Sequence, residues 1–163
     1  MSTAIEEQPH PDSNVIDTTN VQHKVNKKTK REQVNQYELL QRLGSGAYGY
    51  VMLCRDVQNP TQFYAMKVMN KTQLAKKKGG GAASQSVLED IKREIVIMKK
   101  LNHQNIVKLY EVIDDSAQDN LYLVMEYLPG GPCMKRDDPT LQEATCRSYM
   151  RDIVQGLEYC HDI

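Results

Sequence analysis

Residues 43–51, LGSGAYGYV, carry three glycines at the spacing G-x-G-x-x-G and decide how the rest of the sequence is interpreted. This spacing is typical of a phosphate-binding loop, because glycines let the backbone close over a phosphate and leave amide groups free to face it. The spacing alone is weak evidence, since several folds and chance also produce it. The flanking sequence must therefore identify the kind of loop.

Strands flank the glycines on both sides. YELLQRL at 37–43 and YVMLCRDV at 50–57 are both typical of β-strands. A dinucleotide-binding motif would need a helix at the third glycine, and a Walker loop would need Lys and Ser or Thr where Tyr50 and Val51 stand. The pattern favours a strand-loop-strand flap over a nucleotide, with a glycine-rich turn that binds nothing as the alternative.

A lysine and a glutamate lie within apolar surroundings further along the chain. FYAMKVM at 63–69 predicts a strand that is apolar on both faces apart from Lys67. Glu94 falls on the apolar face of a predicted helix. An ionised buried carboxylate needs a cationic partner. We therefore predict a Lys67–Glu94 ion pair that leaves the ammonium facing phosphate oxygens.

The rest of the chain divides by its patterns. Residues 1–33 are polar and predict a disordered tail, and KTQLAKKKGGGAASQ at 71–85 predicts a flexible insertion. Two capping boxes, Ser86 with Glu89 and Thr140 with Glu143, predict the starts of two helices. Strands IVKLYEVI and LYLVMEY lie between these helices.

Composition limits the classes of partner. The 163 residues have a formal net charge of zero, so no overall basic field attracts nucleic acid or membranes. No signal peptide or membrane-spanning run is visible, and the four scattered cysteines are typical of a reduced compartment. We expect a cytoplasmic protein, with nuclear import through the basic cluster KKTKR as an alternative.

From Tyr37 to Ile163 the sequence resembles the protein kinase family. The residues that carry the resemblance are LGSGAYGYV, YAMK, REIVIMKKLNHQNIVKLYEVI, LYLVMEY and YMRDIVQGLEYCHDI, which appear in the family's order. The resemblance implies an α+β fold with a kinase N-lobe and hinge at 34–128, built from a five-stranded antiparallel sheet plus helix C. The start of a helical C-lobe follows at 129–163.

The resemblance also implies a role for individual residues. Lys67 and Glu94 match the catalytic lysine and the helix-C glutamate that holds it. The ATP-binding set would comprise Leu43, Gly44, Ser45, Gly46, Ala47, Tyr48, Gly49, Tyr50, Val51, Ala65, Lys67, Met125, Glu126 and Leu128. In this set Met125 would stand at the back of the pocket, and the backbone of Glu126 and Leu128 would bind the adenine. The cofactors would be ATP and Mg²⁺, with no metal ligand in this chain.

Within the family, the sequence is most similar to calcium/calmodulin-dependent protein kinase kinases and to other kinases that activate AMP-activated-kinase relatives. The partners implied are ATP, a protein substrate such as another kinase, and a calmodulin-type regulator. The family's H-R-D and D-F-G motifs do not occur in the 163 residues, so we expect an N-terminal fragment of a serine/threonine kinase that is inactive alone. A non-catalytic kinase-like binding module is the alternative.

Overall fold

A computed structural model describes residues 15–77, 86–134 and 140–163, which form one sheet and three helices. The strands are β1 Ile16–Thr18, β2 His23–Val25, β3 Glu32–Val34, β4 Tyr37–Gly46, β5 Gly49–Asp56, β6 Phe63–Asn70, β7 Leu109–Asp114 and β8 Asn120–Glu126. The helices are α1 Lys71–Lys76, α2 Val87–Lys100 and α3 Glu143–Asp162.

The sheet contains the predicted antiparallel strands and three more. Its eight strands follow the order β1-β7-β8-β6-β5-β4-β3-β2. Strands β4 to β8 are the five that the sequence predicts, and they pair antiparallel. At the outer edges, β1 pairs parallel with β7, and the β2–β3 hairpin pairs with β4. The α+β fold is confirmed, and the count of five strands is corrected to eight.

The sheet must curl, because its first and last strands are close neighbours in the chain. Thr18 ends β1 at one edge and His23 begins β2 at the other. Such a linker spans at most about 17 Å, whereas the edges of a flat eight-stranded sheet lie about 34 Å apart. A contact of 3.3 Å between His23 Nε2 and the hydroxyl of Tyr122 on β8 joins the two sides. The inner face of the sheet is therefore closed into a core.

Two apolar clusters lie on the two faces of the central strands. The inner cluster contains Val21, Val34, Tyr37, Cys54, Met66, Val68, Ile113, Tyr122 and Val124. The outer cluster contains Met69, Leu74, Val87, Ile91, Ile95, Leu109, Val112, Leu121 and Leu123. Alternation along β6 and β8 sends successive side chains to opposite clusters, which confirms the two apolar faces predicted for residues 63–69.

The N-terminal segment is ordered where the sequence predicts a disordered tail. Strands β1, β2 and β3 all lie within residues 16–34, and Val21 between them is 8% exposed against the inner cluster. The prediction of disorder is therefore wrong for residues 15–33, while residues 1–14 lie outside the described part. The polar composition does not predict these strands, because they pair with existing sheet edges and need little apolar surface of their own.

A buried glutamate ties the N-terminal segment to β7. Glu111 is 2% exposed, and its carboxylate accepts hydrogen bonds from the side chains of Thr18, Gln36 (2.8 Å) and Tyr37 (2.6 Å). Burial, together with the hydrogen bond to Glu111, raises the pKa of Tyr37 far above its ordinary range. The tyrosine therefore stays protonated and keeps donating to the carboxylate.

A second buried glutamate fastens β4 to β5 and to the β2–β3 turn. Glu38 is 1% exposed, and Arg55 donates to its Oε2 through Nη2 at 2.6 Å and Nε at 2.9 Å. Asn26 and Thr29 donate to Oε1 at 3.0 and 2.6 Å. The hydrogen bond from Thr29 and the pairing with Arg55 lower the pKa of Glu38 below its ordinary value. The carboxylate is therefore ionised at neutral pH.

Helix α1 occupies the start of the predicted flexible insertion. Asn70 caps it by accepting a hydrogen bond from the Gln73 N–H, and Leu74 is 2% exposed in the outer cluster. These two residues explain why Lys71–Lys76 is helical, and flexibility is the wrong prediction there. Residues 78–85 lie outside the described part.

Helix α2 begins as predicted and helix α3 does not. The capping box of Ser86 and Glu89 is present at the start of α2. At α3 the N-cap is Gln142, which makes no side-chain hydrogen bond. Glu143 is the first helical residue, whereas a capping box with Thr140 would need it at the third helical position. Its side chain pairs with Arg147 at 2.5 Å instead.

The four cysteines are all free: Cys54 is buried, Cys146 half-buried, and Cys133 and Cys160 are exposed. Burial raises the pKa of the Cys54 thiol to about 12, which keeps it protonated and unreactive.

None of the helices that the structure describes is long and apolar enough to cross a membrane.

The order of the N-terminal segment can be tested with two valines. Val21→Ala should lower the free energy of unfolding by about 1.5 kcal/mol, because two buried methyl groups are lost. Val25→Ala is the matched control, since Val25 is 60% exposed, and should change stability by less than about 0.5 kcal/mol. Urea unfolding measures both. Equal effects of the two substitutions would contradict the structure.

The lowered pKa of Glu38 predicts a pH dependence of stability. Because its pKa is lower in the folded than in the unfolded chain, the stabilisation is complete above the ordinary value of about 4.5 and is lost as the pH falls below it. Unfolding of the parent chain and of Glu38→Gln, measured by urea from pH 7 to pH 3.5, should therefore show a difference that shrinks in acid. A difference that is constant with pH would refute this assignment.

Candidate nucleotide-binding site

The glycine-rich loop is a tight hairpin between β4 and β5. Gly44 pairs with Val51, Ser45 with Tyr50, and Gly46 with Gly49, so Ala47 and Tyr48 alone form the turn. Register shifts between Leu39 and Gln41 and between Arg42 and Gly44 bend β4 just before the glycines. The predicted strand-loop-strand hairpin is confirmed, and its role as a flap over a nucleotide stays a prediction.

Gly49 lets the hairpin approach β6. A Cβ at Gly49 would lie 2.0 Å from the carbonyl oxygen of Val68, and its φ is +154°. Gly44 and Gly46 differ, because nothing lies within 4 Å of a Cβ at either position. The third glycine is thus required by packing, while the first two leave open space beside the loop.

A cavity of about 280 Å³ lies against the loop. It is lined by Gly44, Ser45, Gly46, Ala47, Tyr48, Gly49, Val51 and Lys67. Lys67 is the one charged side chain of this lining, and its strand neighbours in register are Val51 and Leu123. Backbone amides with a single ammonium fit an anionic group such as a phosphate.

A second cavity of about 200 Å³ continues from Lys67 towards helix α2. It is lined by Lys67, Ile91, Glu94, Ile95, Met98, Leu123 and Met125. Lys67 therefore borders both cavities, because the middle of β6 lies between the hairpin on one side and β8 with α2 on the other. The structure brings Lys67, Glu94 and Met125 together, as the predicted site requires.

The predicted ion pair between Lys67 and Glu94 is not formed in this structure. Of the salt bridges within 4.0 Å between described residues, none involves either side chain. Glu94 is exposed, since the buried face of α2 is formed by Val87, Ile91 and Ile95 instead. Because water solvates this exposed carboxylate, Glu94 does not need a cationic partner.

The other predicted ATP-binding residues line neither of these two cavities. Ala65 pairs in register with Met125, two positions along the strands from the Lys67–Leu123 pair and on the same face. Leu43 is 40% and Leu128 50% exposed. The Tyr50 ring contacts Arg42, whose guanidinium lies 4.9 Å from the ring centroid.

The backbone N–H of Glu126 is already hydrogen-bonded within the fold. Its N–H donates to the Lys108 carbonyl oxygen at 2.9 Å, and its carboxylate accepts from the Lys108 N–H at 3.3 Å. A ligand could therefore use only the carbonyl oxygen of Glu126.

Sequence reasoning missed two kinds of residue at the site. Ile95 and Leu123 line the second cavity, and the i, i+4 spacing of Ile91 and Ile95 could have revealed the first of them. Lys77 also reaches the loop, with its ammonium 2.8 Å from the Ala47 carbonyl oxygen. No sequence pattern indicates that contact, because it joins residues 30 positions apart.

Within residues 15–77, 86–134 and 140–163, no group of three or more His, Cys, Asp or Glu side chains is arranged to hold a metal ion. The expectation that magnesium ligands lie outside this chain stays a prediction.

The different roles of the glycines predict different effects on stability. Gly49→Ala should destabilise the fold by about 2 kcal/mol or more, because the new methyl group overlaps the β6 backbone. Gly46→Ala, where the space is open, should change the free energy of unfolding by no more than about 0.5 kcal/mol. Thermal unfolding of the two variants provides the comparison, and a fully stable Gly49→Ala would refute the close approach.

Comparison with known proteins agrees with this geometry. The protein kinase domain family matches residues 37–163. A probable serine/threonine-protein kinase of Dictyostelium discoideum is 42% identical over 140 residues, which are 86% of this chain and 20% of that protein.

Further relatives come from fungi and animals. Serine/threonine-protein kinase ssp1 of Schizosaccharomyces pombe is 40% identical over 149 residues, 90% of this chain and 22% of its own length. The calcium/calmodulin-dependent protein kinase kinase of Caenorhabditis elegans is 38% identical over 144 residues, 79% of this chain and 26% of its own length. The chain thus spans about a fifth to a quarter of these relatives. The predicted resemblance is confirmed, and the chain belongs to the protein kinase family.

Proposed function

We propose that this chain forms the ATP-binding lobe of a serine/threonine protein kinase that phosphorylates proteins in intracellular signalling. The observation that carries the proposal is the position of Lys67, which borders both the glycine-lined cavity and the cavity next to helix α2. No carboxylate among the described residues lies within ion-pair distance of its ammonium. The ammonium is therefore available to phosphate oxygens.

The glycine-lined cavity suits the phosphates of ATP, and the apolar face of the sheet beside Lys67 suits the adenine. The amides of residues 44–49 and the Lys67 ammonium would bind the phosphates, since both kinds of donor favour anions. Apolar side chains of Val51, Ala65 and Met125 flank Lys67 along the same face of the sheet and would contact the adenine. When bound, ATP supplies the γ-phosphoryl group that a protein kinase transfers to a hydroxyl, and protein kinases generally use Mg²⁺ with it.

Glu94 is the carboxylate that we propose to orient Lys67 in the nucleotide-bound state. Both side chains line the same cavity of about 200 Å³, which is the observation that supports this pairing. Such a pair would hold the ammonium on its strand while leaving it a donor for phosphate oxygens.

The relatives suggest the substrate and the regulator. The name of the Caenorhabditis elegans protein describes a calcium/calmodulin-dependent kinase of protein kinases. By analogy, we propose that the substrate here is another protein kinase and that a calmodulin-type regulator acts on the whole protein. Phosphoryl transfer would also need the H-R-D and D-F-G groups, which the 163 residues do not contain.

A non-catalytic binding module is the second candidate. It is favoured by the apolar side of helix α3, where Met150, Ile153, Val154 and Leu157 are each more than 50% exposed. Such a face suits an apolar protein surface. Binding of ATP that depends on Lys67 separates this candidate from the first.

Isothermal titration calorimetry with Mg²⁺-ATP tests the proposed function. Lys67→Met should weaken ATP binding by about tenfold or more, because the single cation of the glycine-lined cavity is removed. The affinity of Lys67→Arg for ATP should lie between those of the parent chain and Lys67→Met, since arginine keeps the charge but in a different shape.

Lys100→Met is the matched control, because it removes an exposed lysine at the end of α2 that lines neither cavity. Its affinity for ATP should equal that of the parent chain. Equal affinities for the parent chain and Lys67→Met would refute the proposal.

A further inference from the structure

We propose that Lys77 is a positioning residue that fastens the tip of the glycine-rich loop to the start of helix α2. Its ammonium donates a hydrogen bond of 2.8 Å to the carbonyl oxygen of Ala47 and lies 5.9 Å from the ring centroid of Tyr48. Ala47 and Tyr48 are the two turn residues of the hairpin. The proposal deepens the proposed function and rests on it, since the loop is taken to cover the phosphates of ATP.

The backbone of Lys77 joins two helices at the same point. Its N–H donates to the Leu74 carbonyl oxygen at 3.2 Å and closes α1. Its carbonyl oxygen accepts from the N–H of Val87, the first residue of α2, at 3.1 Å. One residue therefore contacts the end of α1, the start of α2 and the loop tip.

Helix α1 is held firmly enough to serve as the base of this contact. The carboxylate of Asp119 accepts from the Thr72 hydroxyl at 2.7 Å and from the Thr72 N–H at 3.0 Å. Lys71 pairs with Asp114 at 2.8 Å. Together with the buried Leu74, these bonds fix the helix, and the exposed Lys77 side chain extends from its end towards the loop.

The loop tip has few other attachments. Among the described residues, Lys77 makes the one hydrogen bond that joins Ala47 or Tyr48 to a residue outside the hairpin. Gly49 packs against the β6 backbone, whereas the space beside Gly44 and Gly46 is open. A charge-assisted hydrogen bond and a cation–π contact are therefore well placed to select one position of the tip.

This contact couples the loop to the helix that carries Glu94. Glu94 belongs to α2, whose first N–H is bonded to Lys77. A displacement of the start of α2 would move the Lys77 backbone and with it the bond to Ala47. The position of the phosphate-covering loop and that of the proposed lysine-orienting glutamate are thus linked through one side chain.

The first test measures the loop without nucleotide. Lys77→Met keeps most of the side-chain stem but removes the charge, and Lys77→Arg restores a cation that can reach the same carbonyl. Backbone ¹⁵N order parameters of Ala47 and Tyr48 should fall towards about 0.6 in Lys77→Met and stay near the parent values in Lys77→Arg. Lys76→Met is the matched control, because it removes the adjacent lysine of α1.

The second test measures the consequence for nucleotide. Titration of Mg²⁺-ATP, followed by the amide shifts of residues 44–51, should give an apparent Kd about fivefold higher in Lys77→Met than in the parent chain. Lys77→Arg and Lys76→Met should stay within about twofold of the parent value. A smaller population of the correctly placed loop is the reason for the loss.

The outcomes separate this proposal from the proposed function. Unchanged loop order in Lys77→Met overturns the proposal whatever the titration shows. Greater mobility with unchanged affinity overturns the positioning role. If the parent chain does not bind ATP while Lys77→Met still loosens the loop, the contact is upheld and the proposed function is refuted.

Discussion

The apolar character of both faces of the central strands is the constraint on which the structure depends. Met66 and Val124 face the inner cluster, while Met69 and Leu121 on the same two strands face the outer cluster. A sheet with two apolar faces must be covered on both. Helix α2, with α1, covers one face, and curling of the sheet under the N-terminal segment covers the other.

The cover of the inner face brings polar groups into the interior. Glu38 and Glu111 are the buried carboxylates of the described core, and each is held by several donors. They differ in charge balance, because Glu38 pairs with Arg55 whereas Glu111 is held by neutral donors. In both cases part of the donor set comes from residues before β4, so the N-terminal segment completes the core electrostatically as well as by packing.

The candidate site follows from the same arrangement on the outer face. Lys67 lies in the middle of β6, so its neighbours on either side are fixed by the register with β5 and β8. Its stem is surrounded by apolar residues, and its ammonium opens onto the two cavities. The cation is thus placed by the regular geometry of a sheet, while the glycine-rich part of the site is a hairpin with an exposed tip.

The parts that could be predicted from the sequence are those set by local pattern. The period of two in residues 63–69, the three glycines and the Ser86–Glu89 box each act over a few neighbouring residues, and the structure has them as predicted. The order of residues 15–33 could not be predicted in this way, because their stability comes from strand partners distant in the chain. The helical period alone does not distinguish Glu94 from Ile95, so it predicts Glu94 on the apolar face where the structure places Ile95.

The sequence by itself determined the family, the strands around the glycine-rich loop and the lysine that stands on the next strand, because these depend on residue type and short spacing. Only the tertiary structure decided that the described residues form eight strands, that Glu94 is exposed and makes no ion pair with Lys67, and that Lys77 contacts the loop tip. The physical reason is that each of these depends on which distant segments meet. Burial, pairing partners and long side-chain contacts are properties of the assembled fold, and no local pattern of residues encodes them.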